Sequence, residues 1–350
     1  MFGIDKTVIK SWELKSIELK KLLNKNNVII QTKGYTTNVI EYKTNEPIKI
    51  AYIKIKDKYK FNVLQFGVKV IKGRFITYSF LEIHINSFKD KINNLEPLSL
   101  NEYYRLIDSI GDYLAKEYGI HIDFTNSKFE MIELNKTIEL DRDFNEYEHI
   151  LNMISLLVPK TYKDKFINID KFNNMRQITV SNKSVDVKIY NKTKQLLELY
   201  KIKINKQYLR IEYTLKTSKK VEDVFKSSGI FKLSDDEIKH YLKDRIEKEL
   251  VNPLEKHIRK GQSRLKRIAK EEKQRDSRRW VRVFVLRAIN EEKENIPLLF
   301  CLDQIKIIIK KETKSNYART MRNLEKDFEH NYKFNENLLK LEELKIKIFN

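Results

Sequence analysis

Residues 185–194 read Val185-Asp186-Val187-Lys188-Ile189-Tyr190-Asn191-Lys192-Thr193-Lys194, and this stretch decides the fold. Val185, Val187 and Ile189 alternate with Asp186, Lys188 and Tyr190, the period-two pattern of a half-buried strand. The apolar set takes one face. Tyr190 falls on the polar face, with Lys188 and Lys192 two residues to either side. The segment then passes into a helix that begins after Lys194 and runs through Leu196, Leu197 and Tyr200. A tyrosine between lysines on a charged strand face is a candidate nucleophile for phosphate chemistry. The plain alternative is one surface tyrosine among the chain's 18.

Two more strands repeat the pattern. In Phe75–Ile85, the second strand of a hairpin that starts at Phe61, Leu81, Ile83 and Ile85 form the apolar face. Glu82 and His84 share the other face, where a carboxylate and an imidazole can bind a divalent cation together. In Tyr208–Lys216, Leu209, Ile211, Tyr213 and Leu215 lie opposite Arg210, Glu212, Thr214 and Lys216. If these strands are neighbours, their polar faces gather carboxylates, a histidine, a tyrosine and cations, which is what a metal-dependent DNA-nicking site requires.

Between them the chain reads as helix over 99–119, strands over Ile120–Phe124 and Lys128–Leu140, and helix over Phe144–Leu157. Ser99 is placed to cap the first helix and Gly119 to end it. Glu133 projects opposite Ile132 and Leu134. Residues 1–60 read as β-rich, without recognisable chemistry. The order predicts an α+β fold, an antiparallel or mixed sheet with helices on one face.

The chain has 350 residues, room for about two domains, and 41% of them are hydrophobic. Its net charge of +21 and pI near 9.6 point to an anionic partner, most often nucleic acid. Lys, Ile and Asn are abundant while Gly and Pro are scarce, as an AT-rich genome also produces, so part of the lysine excess carries no function. One cysteine, Cys301, excludes a disulfide framework and a Cys-based zinc site. Without a signal-peptide pattern or an apolar run near 18 residues, the expected place is the cytoplasm, with no membrane partner. The sequence has no P-loop motif, which argues against an ATPase.

The segments LEIHINSFKDKI (81–92), FEMIELNKTIEL (129–140), VKIYNKTKQLLE (187–198) and YLRIEYTLKT (208–217) together carry a family resemblance. Their order and spacing resemble the replication initiators of the filamentous-phage gene II/gene X family and related plasmid proteins, over roughly residues 60–230. The resemblance implies nicking of one strand to start rolling-circle replication. It implies Tyr190 as nucleophile, Lys192 as its nearby lysine, and Glu82, Glu133 and Glu212 at acidic positions. Met131-Ile132-Glu133 stands where the family pattern has Arg-Ile-Asp. His84-Ile85-Asn86 supplies one histidine of the pair that the commonest rolling-circle nickases carry.

Such a site would use Mg²⁺ or Mn²⁺ on Glu82, His84, Glu133 and Glu212 to neutralise a phosphodiester. Lys188, Lys192 or the metal would draw the Tyr190 hydroxyl below its reference pKa of about 10. Attack would leave a 5′-phosphotyrosine and a free 3′-OH that primes a host polymerase.

The expected organisation is a nicking domain over 1–232, a basic helical connector over 233–282 and a DNA-binding module over 283–350. Ser234-Asp235-Asp236-Glu237 starts a helix that runs to Leu250, where Pro253 interrupts it. Residues 256–282 carry twelve Lys/Arg against three acids, a solvated or phosphate-facing surface that includes Arg264, Lys266, Arg267, Arg278 and Arg279. Helices over Ile296–Lys311 and Tyr317–Phe328, the latter with Arg319 and Arg322, suggest a winged-helix or helix-turn-helix module; a packed helical hairpin is the alternative. Arg210 joins the expected DNA contacts. The reading is a rolling-circle initiator that acts on a single-stranded or supercoiled origin with a host helicase and polymerase. A conjugative relaxase-type nickase and a non-catalytic DNA-binding initiator or regulator are the alternatives.

Overall fold

The computed structural model describes residues 2–11, 14–16, 18, 28–40, 47–55, 61–71, 74–86, 95, 98–169, 175–275, 280–292, 298–327 and 337–349. The strands are β1 (Phe2–Ser11), β2 (Leu14–Ser16), β3 (Val28–Ile40), β4 (Pro47–Ile55), β5 (Phe61–Ile71), β6 (Arg74–Asn86), β7 (His121–Ile122), β8 (Lys128–Leu140), β9 (Asp164–Ile169), β10 (Met175–Ser181), β11 (Val185–Asn191) and β12 (Gln207–Leu215). The helices are α1 (Leu100–Tyr118), α2 (Glu148–Leu157), α3 (Lys192–Tyr200), α4 (Ser218–Phe225), α5 (Asp235–Ile246), α6 (Asn252–Arg275), α7 (Trp280–Glu292), α8 (Leu298–Thr313), α9 (Tyr317–Asp327) and α10 (Asn337–Phe349). This is a mixed α+β fold with an antiparallel sheet. The chain forms two compact units. One holds 1–138, 179–204 and 209–242; the other holds 139–178, 205–208 and 243–350. No helix among the described residues is long and apolar enough to cross a membrane.

In the first unit the strands run in the order β3-β4-β5-β6-β1-β8-β12-β11. The first strand in sequence is therefore interior, antiparallel to both β6 and β8. The β11–β12 register sets Lys188 opposite Glu212 and Tyr190 opposite Arg210, so these four project from one face. The other face is apolar and carries helices. Tyr103 of α1 lies against Phe129 of β8, and its hydroxyl meets the Thr7 hydroxyl at 2.7 Å. Tyr241 of α5 packs edge-on against Tyr213 of β12 and Phe225 of α4.

Local chemistry sets the element ends. Ser99 and Glu102 close a reciprocal capping box on α1, and Gly119 ends it at φ 65°, a left-handed conformation that favours glycine. Ser234 and Glu237 exchange the same hydrogen bonds at the start of α5. The expected break at Pro253 takes another form. A π-helical turn, Glu247–Val251, intervenes and runs without a break into α6, whose second residue is Pro253.

The second unit is built round a helical core. Leu265, Ile268 and Ala269 of α6, Phe284, Val285 and Ala288 of α7, Ile305 and Ile309 of α8, and Met321 and Leu324 of α9 form one buried cluster. The expected boundary at 282/283 falls inside α7, between the buried Trp280 and Phe284. Nor is the segment from 233 a free connector: Tyr241 belongs to the first unit's core. Helices cannot bury one-sided apolar stripes alone, so α6 shares its core with the helices after it. Among the described residues no strand, and so no wing, follows Leu215. Cys301 lies in α8.

Candidate active site

The polar face of β1, β8, β12 and β11 carries the site. Its first member, Asp5, comes from the N-terminal segment read as chemically silent. The β1–β8 register pairs Ile4 with Leu134 and then Lys6 with Glu133, leaving Asp5 as the extra residue of a bulge. Ile4 points to the helix-covered face. The extra residue re-aims the chain, and Asp5 reaches the carboxylates while Lys6 stands beside Glu133.

Asp5, Glu133 and Glu212 are all buried, and each offers a carboxylate oxygen within 4.8 Å of the others. Cations surround them. Lys188 Nζ lies 3.0 Å from Glu133 Oε2 and 3.6 Å from Glu212 Oε2. Lys6 Nζ lies 3.4 Å from Glu133 Oε1, and Arg210 Nη1 lies 3.4 Å from Asp5 Oδ2. Arg210 also donates through Nε to Thr137 Oγ1 at 3.0 Å and through Nη2 to the Leu95 carbonyl at 3.4 Å. Thr214 Oγ1 donates to Glu133 Oε2 at 3.0 Å.

Tyr190 is 5% exposed, and its hydroxyl donates to Glu212 Oε1 at 2.5 Å. The turn that follows fixes its neighbour. Asn191 caps α3 by accepting from the Lys194 amide, which makes Lys192 the first helical residue, earlier than expected. Lys192 is fully buried, donates to Gln195 Oε1 at 2.7 Å, and holds Nζ 5.8 Å from the centre of the Tyr190 ring.

The environment shifts these groups unequally. Burial, then the charges of Glu133 and Asp5, push Glu212 up to about 7. Burial and the Arg210 guanidinium push Lys192 down to about 7. Burial and the Glu212 charge hold the Tyr190 hydroxyl well above its ordinary range. For Glu133, burial acts to raise the pKa, but Lys6 and Lys188 prevail and hold it below the ordinary value. Burial likewise opposes charge on Lys188, and Glu133 with Glu212 outweighs it, so this lysine titrates above its ordinary value.

The buried acidic triad can hold a metal ion. Its donors are all oxygen, which suits a hard divalent cation. Glu133 Oε1 accepts no hydrogen bond among the described residues, and the Lys6 ammonium stands 3.4 Å from it.

The expected ligands Glu82 and His84 lie elsewhere on this face. His84 Nε2 is 2.7 Å from Glu82 Oε1, and the register sets them beside Lys10 and Val8, up the strand from Lys6. Asp5 takes the place in the donor set that was expected of them. Arg210 was expected on a DNA surface but is fully buried against Asp5. Lys266 and Arg267 are exposed on α6, Arg264 is half-buried there, and Arg319 and Arg322 are exposed on α9. Arg278 and Arg279 lie outside the described residues.

No family model and no curated protein matches this chain. Among solved structures it is similar to the di-domain ARO/CYC BexL from the BE-7585A biosynthetic pathway, at 6% identity over 56% of this chain and 70% of that one. The TM-score is 0.17, too low to bear on fold or function.

Proposed function

We propose that the chain is a DNA-nicking strand transferase of the rolling-circle initiator kind, with Tyr190 as nucleophile. One observation carries the reading: the Tyr190 hydroxyl donates to a carboxylate, Glu212, that belongs to a three-carboxylate donor set flanked by lysines. Chemistry on a phosphodiester needs a nucleophile, a proton acceptor and positive charge, and this face supplies all three.

Asp5, Glu133 and Glu212 would hold the divalent ion, Mg²⁺ or Mn²⁺ by donor type. When bound, that ion supplies Lewis-acid neutralisation of the phosphate. The chain's own groups do the rest. The Tyr190 oxygen forms a bond to phosphorus as the bond from phosphorus to the 3′-oxygen breaks. The phenol proton passes to Glu212 Oε1, already its hydrogen-bond acceptor. With Glu212 near 7, the carboxylate is available as a base at neutral pH. Lys188 faces the carboxylates as an ammonium and offsets negative charge that builds up in attack; Lys192 faces the ring and, near 7, adds to this in its protonated form. The leaving 3′-oxygen takes up a proton, giving a free 3′-OH and a 5′-phosphotyrosine. One phosphoester replaces another, so the strand can be rejoined.

Lys188 and Lys6 are 29% and 46% exposed at the side chain, and they open the site to solvent. A phosphate would enter past them. The helical unit would hold the DNA, with Arg319 and Arg322 of α9 in the place of a helix-turn-helix reading helix. A host helicase and polymerase would then use the nicked strand, in the cytoplasm.

The test is supercoiled DNA of the chain's own replicon with Mg²⁺ or Mn²⁺, beside Tyr190→Phe and an EDTA control. Relaxation with a protease-sensitive covalent adduct, lost in both controls, is the expected result. Binding without nicking under either metal would sink the proposal. Nicking that survives Tyr190→Phe would remove Tyr190 from the role.

A further inference from the structure

The second unit carries a groove of about 330 Å³ between α6 and α8, lined by Lys266, Lys270, Lys273 and Lys311, with Ala269 and Ile308 as its floor. Its single acid, Glu312, is bound by Lys273 at 2.8 Å and lies beside Lys311. Lys266 and Lys270 make no ion pair among the described residues. The groove thus presents a net positive charge.

The charge also has a direction. Arg259, Ser263, Lys266, Lys270 and Lys273 follow one another at intervals of four, three, four and three residues, a single stripe along α6. At 1.5 Å per residue the stripe is about 21 Å long. The opposite side of the helix is buried through Leu254, Ile258, Leu265 and Ile268. The helix therefore holds the stripe straight. Duplex DNA advances about 3.4 Å per base pair, so 21 Å faces about six base pairs of backbone. Single strands are instead gripped by aromatic faces that stack on bases. Among the described residues the groove lining contains no aromatic residue, and Trp280 of the neighbouring helix is buried.

We propose that this groove takes the phosphate backbone of duplex DNA, without reading its sequence. The proposal rests on the nickase reading and names the part of the substrate that this unit holds. Sequence pattern alone marked Lys266, Lys270 and Lys273 as part of a phosphate-facing run; the fold adds Lys311 of a second helix.

The test measures binding of the full chain to a fluorescent 20-base-pair duplex of arbitrary sequence in EDTA, between about 50 and 200 mM salt. It compares wild type with Lys266→Gln/Lys270→Gln/Lys311→Gln. Each phosphate contact contributes about 0.9 to the salt slope, so the triple variant should lose about 2.7 from it and bind at least tenfold more weakly at low salt. The lysines are at the surface, so the melting curve should not move. An unchanged slope overturns the proposal. So does a loss that appears equally with a single strand, or tighter binding of duplex RNA or of a polyglutamate peptide through the same lysines. Because the assay needs neither metal nor Tyr190, its failure is separate from failure of nicking. A slope that falls as expected in a protein that never nicks leaves the groove standing and removes the nickase.

Discussion

Glu212 accepts the Tyr190 hydroxyl through Oε1 while its other oxygen lies 3.6 Å from the Lys188 ammonium. One carboxylate thus couples the candidate nucleophile to the candidate charge donor. Tyr190→Phe severs that coupling with little change in volume. Adduct formation should fall by about 10³-fold or more. The melting temperature should fall only slightly, because Glu212 can retain a proton in place of the lost donor. Full activity in this variant would refute the assignment.

Lys188 competes for the oxygens that a cation would use. Lys188→Met should therefore tighten Mn²⁺ binding by about fivefold, the equivalent of roughly 1 kcal/mol. Calorimetric titration of the metal-free protein reads this without any turnover. Weaker binding in the variant would mean that the lysine supports the donor set rather than occupying it.

Glu133→Gln leaves Lys6 and Lys188 beside a neutral amide. Both lysines reach solvent, which limits the penalty. A loss of about 2 kcal/mol is expected from denaturant unfolding, together with loss of Mn²⁺ binding. A stability unchanged within error would show that the cluster does not stabilise the sheet.

Proton linkage can be followed in EDTA. Glu212 rises from an ordinary 4.5 to about 7, so between those values unfolding releases a proton and stability falls as pH rises. Lys192 falls from 10.5 to about 7, so between pH 7 and 10.5 unfolding takes up a proton and stability climbs. The two contributions meet in a minimum near pH 7. The difference between wild type and Glu212→Gln isolates the acid limb. A difference that grows in favour of wild type from pH 4.5 to 7 would contradict the shift.

Phe284→Ala tests the shared helical core. Phe284 is fully buried with residues of α6, α8 and α9. Truncation should cost about 3–5 kcal/mol and speed hydrogen exchange in α6 as well as in α7. Faster exchange confined to 283–350 would restore the boundary expected at 282/283.

The face of the candidate site was legible because strand parity is a local property. Lys188, Tyr190, Arg210 and Glu212 fall on one side by simple alternation, and the β11–β12 register keeps them there. Asp5 was not legible, because a bulge breaks the alternation and only the partner strand reveals the extra residue. Glu82 and His84 have the right parity, but parity does not state position along a strand. The helix caps at Ser99 and Ser234 were readable from four residues each. The common core of α6 to α9 was not, since four amphipathic stripes do not say which of them meet.

The interior position of β1 bears on how the first unit assembles. Lys6 pairs with Asn86, 80 residues further along the chain, and Phe2 with Lys136, 134 residues further. β1 is made before either neighbour, so its backbone must wait for both before it is paired. Long loops close slowly and at an entropic cost, so this closure should be a slow step in the folding of the unit. Asp5 joins the cluster only with that closure, so the three-carboxylate set is incomplete until β1 is in place.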